Sequence, residues 1–123
     1  MKDENNKRSF PHGLDGVVLH IILRHKGEKN GIKRTYLLNE CNRQIPCDDS
    51  EMRLAIQFLR EQGYMICNYG RGTGYFLAGT VEEFSTWIDK YTDRALSIFK
   101  ARDAMYKTAK AEFDFNPEQP RLL

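Results

Sequence analysis

Apolar residues Leu14, Val17, Val18, Ile21 and Ile22 recur at i, i+3, i+4, i+7 and i+8, the spacing of one buried face of a helix. The polar stretch Lys26 to Gly31, with two glycines, predicts a loop. Tyr36, Leu37 and Leu38 support a short second helix from Lys33 to Cys41, and Pro46 biases Ile45 away from helical geometry. Asp48 and Glu51 have the spacing of a reciprocal cap, so a third helix is expected over Asp48 to Gln62, with Cys47 and Met52 as its staple. Its apolar stripe is Met52, Ala55, Ile56 and Leu59, widened by Leu54 and Phe58. Ser50, Arg53, Gln57 and Arg60 share the other face, and Gly63 ends the helix.

YMICNYGRGTGYFLAG then alternates to a different pattern, two aromatic and β-branched runs separated by Gly70, Gly72 and Gly74, which predicts a β-hairpin with a mobile tip. From Thr80 to Asp114 there is neither Gly nor Pro, and Val81, Phe84, Trp87, Ile88, Tyr91, Ala95, Ile98 and Phe99 follow helical spacing. This predicts a rod of roughly 50 Å, begun by a second capping pair, Thr80 and Glu83. The expected layout is a flexible tail over 1–12, a folded domain over 13–79, a long helix over 80–115 and a flexible tail over 116–123.

A chain of 123 residues supports one core plus an appendage, and 41% hydrophobic with 29% charged residues is an ordinary globular composition. The net charge of +2 does not by itself announce a polyanionic partner, so its distribution matters. Between Arg24 and Arg43 six basic residues, Arg24, Lys26, Lys29, Lys33, Arg34 and Arg43, face only Glu28 and Glu40. Cys41, Cys47 and Cys67 are odd in number and lack a C-x-x-C pair, which argues against a disulfide framework and a structural zinc site and for a reducing cytoplasm. The opening residues lack the apolar run of a secretory leader, and Val17 to Leu23 is too short to span a bilayer. No catalytic constellation, metal or cofactor is expected.

The order helix, short helix, turn, capped helix and glycine-rich hairpin is that of a winged helix. EMRLAIQFLREQGYMICNYGRGTGYFLA resembles winged helix domains of the biotin-repressor type, on Glu61, Gln62, Gly63, Tyr64, Met65 and Ile66 and then Gly72, Thr73, Gly74 and Tyr75. The resemblance implies a mainly α fold with a small β-hairpin, a winged helix-turn-helix followed by the long C-terminal helix. It also implies that Asp48 to Gln62 is a recognition helix for duplex DNA, in a small bacterial or phage regulator-like protein.

On that reading Ser50, Arg53 and Gln57 present donors to base edges, Arg53 suited to guanine and Gln57 to adenine. Lys29, Lys33, Arg34, Thr35, Tyr36 and Arg43 are placed to contact phosphates, and Arg71 and Thr73 occupy the wing. Asp48, Asp49 and Glu51 stand against an easy approach to phosphates; capping explains the first and third, while Asp49 has no reason in the sequence unless it accepts from cytosine. The long helix carries the expected oligomerisation face, Phe84, Trp87, Ile88, Tyr91, Ala95 and Ile98, which predicts a homodimer and a palindromic DNA site. The alternatives are a winged helix serving as a protein-interaction module in a larger assembly, favoured by the modest charge and acidic helix entrance, and a phage replication factor at an origin.

Overall fold

The computed structural model describes residues 13–70, 72–116 and 118. The 1–12 tail, Arg71 and most of the 116–123 tail lie outside them. The described residues are mainly helical with a small two-stranded hairpin and a long C-terminal helix, in the order α1 (Leu14–Ile22), α2 (Arg34–Gln44), α3 (Asp49–Glu61), β1 (Ile66–Cys67), β2 (Phe76–Leu77) and α4 (Val81–Phe113). The chain divides into two compact units, Met1–Trp87 and Ile88–Leu123.

The first unit is built on α1. Its Leu14, Val18, Ile21 and Ile22 are fully buried against Leu37 and Cys41 of α2 and Met52, Ala55, Ile56 and Leu59 of α3. A fully buried aliphatic side chain of this kind contributes about 2 kcal/mol, so this seam accounts for most of the cohesion of the three helices. α2 runs three residues beyond its expected end because only Ile45, extended at φ −143° ahead of Pro46, stops it. The Asn42 side chain then accepts the Cys47 amide at 2.8 Å and turns the chain toward α3.

The cap of α3 forms as its spacing predicts. Asp48 Oδ1 accepts the Glu51 amide at 2.7 Å, Glu51 Oε1 accepts the Asp48 amide at 2.9 Å, and Cys47 packs against the core. Leu54 departs from the expected stripe: it is 48% exposed, because it lies opposite Ala55 and Ile56 rather than beside them.

β1 and β2 are antiparallel, pairing Ile66 with Leu77 and Cys67 with Phe76. The segment expected to be a plain loop contains a 3-10 turn (Glu28–Asn30), and its two ends join the hairpin. Lys26 bridges Leu77 in the parallel sense, and Ile32 bridges Tyr75 in the antiparallel sense through two reciprocal 2.8 Å hydrogen bonds. Two glycines permit this approach of backbone to backbone. A Cβ on Gly74, at φ +82°, would overlap the Ile32 carbonyl, and one on Gly31 would overlap the Thr73 carbonyl. Gly74 is buried, so the glycine run is not uniformly a mobile tip.

The first unit takes in the opening turns of α4, beyond the boundary expected at residue 79. Thr80 Oγ1 accepts the Glu83 amide at 3.1 Å as a cap, and the Glu83 carboxylate takes the Thr80 backbone amide in return. It accepts the Gly79 amide at 2.8 Å and the Glu28 amide at 2.9 Å, tying α4 to the 3-10 turn. These backbone donors hold the Glu83 carboxyl below the usual carboxylate range. Tyr69, edge-on to Phe76 at 5.1 Å, donates its hydroxyl to the Glu83 carbonyl at 2.8 Å. Trp87 is buried with the Arg60 guanidinium 4.4 Å over its ring, while Arg60 Nε donates to the Ile66 carbonyl at 2.8 Å. Arg60 therefore does not belong to a free polar face, and Trp87, expected on the oligomerisation face, packs inside this unit.

The second unit holds the rest of α4. Leu96, Ile98, Phe99, Met105 and Phe113 are exposed there. Among the described residues no helix is long and apolar enough to cross a membrane.

Candidate functional site

Two helix beginnings meet at one carboxylate. Asp49 Oδ2 receives Arg34 Nη1 from the first turn of α2 at 3.0 Å and Arg53 Nε from the next turn of α3 at 2.9 Å. Both arginine side chains remain more than half exposed, whereas the Asp49 side chain is 30% exposed. Exposed pairs of this kind contribute on the order of 0 to 1 kcal/mol each. What Asp49 supplies is placement: it holds two long cationic side chains in one position at the surface.

Around this joint lie Lys33, Thr35 and Tyr36, all exposed on the entry to α2, and Ser50, exposed beside Asp49. The surface facing away from the core runs along α3 through Ser50, Leu54, Gln57 and Glu61, with Arg53 on the edge toward α2. Gln57 is half-buried and its amide donates to Glu61 Oε2 at 3.3 Å.

The remaining expected contacts spread out. Lys29 is exposed on the 3-10 turn, which is braced by the Asn30 amide donating to the Lys26 carbonyl at 2.8 Å. Arg43 is exposed in the last turn of α2, nine residues or about 14 Å along the helix from Arg34. Thr73 is half-buried, and its hydroxyl is covered with no hydrogen-bond partner among the described residues, so it does not face outward. Arg71 lies outside the described residues.

The thiols are placed for packing. Burial, with the charges of Cys47 and Glu40 adding to it, pushes Cys41 up to about 12. Cys67 is pushed up to about 11, burial outweighing the opposing Arg60 charge, and Cys47 is raised by burial and then by Glu51 and Asp48. A thiol must ionise to attack or to bind a soft metal, so all three are held in the unreactive form at neutral pH. Among the described residues no group of three or more His, Cys, Asp or Glu is gathered for a metal ion.

No family model, curated protein or solved structure matches this chain.

Asp49 is the residue the sequence left without a reason. Half of its role was legible, since Asp49 and Arg53 have the i, i+4 spacing of a helical ion pair. Its bond to Arg34 spans 15 residues and depends on how α2 packs against α3. Arg60 was misplaced for the same cause: its carbonyl partner and its aromatic partner come from other elements.

Proposed function

We propose that residues 13–79 are a winged helix-turn-helix that binds duplex DNA, with α3 in the major groove and the start of α2 against the phosphates. The observation that carries this reading is the Asp49 joint, which gathers Arg34 and Arg53 beside exposed Lys33, Thr35, Tyr36 and Ser50. Asp49 takes Arg53 through Nε, so the terminal amines remain to be directed at a guanine edge. Arg34 and Lys33 act on phosphates, which fix register without reading sequence. The bridge of Ile32 to Tyr75 supports the same reading, because it sets the hairpin alongside the helices as a wing. The role is binding and not catalysis: a transcription regulator or a phage-type accessory factor, working in a reducing cytoplasm that keeps the three cysteines free.

Titration of duplex DNA at two salt concentrations tests the reading. Each phosphate contact lowers log affinity by about 0.9 per decade of salt. Arg34→Ala is expected to weaken all duplexes alike and to reduce that slope by about one contact, whereas Arg53→Ala narrows the gap between preferred and random duplexes by about 1 to 3 kcal/mol. Absence of any salt-dependent duplex binding refutes the reading.

One observation favours a protein partner instead. Leu54, 48% exposed, sits in the middle of the outward surface of α3 with Glu61 beyond it. An exposed leucine on this surface suits a docked apolar side chain, and Leu54→Ala would then abolish partner capture while leaving DNA titrations flat.

A further inference from the structure

The second unit bears an apolar stripe of which Ile98, Phe99 and Met105 stand in solvent. Along residues 88–113 of α4, Ile88, Tyr91, Ala95, Ile98, Arg102, Met105 and Ala109 alternate in steps of three and four, with Phe99 and Tyr106 widening one flank. Ile98 is 62% exposed and Met105 65%, both on that seam, and Phe99 is 48% exposed beside it. Exposed apolar surface arranged with this period is the half of a helix pair that lacks its other half.

Arg102 decides which second helix fits. It stands on the seam with its guanidinium 4.8 Å from the Phe99 ring centre and 5.5 Å from that of Tyr106, and it donates to Asp103 at 3.0 Å. A parallel, in-register copy would set Arg102 against Arg102 in the seam, two like charges facing each other on an apolar surface. An antiparallel copy avoids this. When Ala95 of one chain faces Ile98 of the other, the same register pairs Ile88 with Met105 and Arg102 with the ring of Tyr91, a cation over an aromatic face.

Charge along the helix selects the same direction. Within the second unit, residues 88–93 hold Asp89 and Asp93 against Lys90, and residues 94–113 hold Arg94, Lys100, Arg102, Lys107 and Lys110 against Asp103 and Glu112. Antiparallel association lays the acidic section of each copy over the basic section of the other, whereas parallel association stacks like on like.

We infer that the chain forms an antiparallel homodimer through α4, its twofold axis passing between Leu96 and Ser97. This does not depend on what the first unit binds.

The full chain is expected to sediment with the mass of two copies at tens of micromolar. Ile98→Asp should give the mass of one copy and Arg102→Ala, which takes the cation off the facing Tyr91 ring, should weaken association by about tenfold, both with the far-ultraviolet spectrum unchanged. A spin label at Lys110→Cys in a Cys47→Ser background reads the direction. Antiparallel copies place the two labelled backbones about 40 Å apart along the axis, since 27 helical steps separate them. Parallel copies bring them to about 10 Å. A single-copy mass at these concentrations, or the short distance, overturns the proposal.

Discussion

Gly72 and Gly74 share almost the same backbone angle, yet substitution should separate them sharply. Nothing lies within 4 Å of a Cβ on Gly72, so Gly72→Ala bears only the left-handed strain, about 1 kcal/mol. Gly74→Ala adds an overlap with the Ile32 backbone and is expected to cost about 3 kcal/mol or more, lowering Tm by more than about 10 °C. Equal melting temperatures for the two variants would show that segment 31–33 does not pack on the hairpin. Asp49 gives the opposite kind of prediction. Because its ion pairs are exposed, Asp49→Asn should change stability by less than about 1 kcal/mol. With both guanidiniums released, the variant should hold random duplexes more tightly and discriminate less, which competition between preferred and random DNA would measure.

Among the elements, α3 and α4 are fixed at their beginnings by side chains of different reach. The α3 cap is local, and Asp48→Ala should cost about 1 kcal/mol in denaturant unfolding. The α4 beginning adds a distant hold to its local Thr80 cap, that of Glu83 on the Glu28 amide. Its folded carboxyl titrates below the ordinary value of 4.5, so its contribution is present above that pH and is lost as pH falls through the depressed value. Glu83→Gln should therefore flatten the acid limb of the stability curve without changing the alkaline one. At the other end, Cys41 and Cys67 are raised from 9.0 to about 12 and about 11, so their contribution is present below pH 9 and declines as pH rises toward those values. A Cys41→Ala, Cys67→Ala variant should lose that alkaline decline, visible in urea midpoints measured from pH 8 to 11.

For the molecule as a whole, the two proposals combine into one measurable quantity. Lys29, Lys33, Arg34 and Arg43 are the exposed cations assigned to phosphates in a single domain, which sets a salt slope of about −4 for one copy on DNA. Two domains tied together by α4 would approach about −7 on a palindromic duplex, and Ile98→Asp should return the slope to the single-copy value. A slope identical in the parent and Ile98→Asp would separate dimerisation from DNA binding.

The helices and their caps were legible in the chain because they rest on spacing within a few residues: the α1 stripe, Asp48 with Glu51, and Gly63 as a stop. The same locality made Leu54 look like part of the apolar stripe, since composition does not reveal which side of a helix a neighbour will cover. Contacts between segments distant in sequence needed the tertiary structure. Ile32 could not be seen joining Tyr75, nor Glu83 reaching Glu28, nor Asp49 holding Arg34, because each partner lies 15 to 55 residues away and no local pattern encodes it. The sequence by itself determined which segments are helical and which faces are greasy, through periodicity. Only packing decided which polar side chains are anchored and which stay outward, because a side chain's freedom depends on what the fold brings within hydrogen-bonding reach.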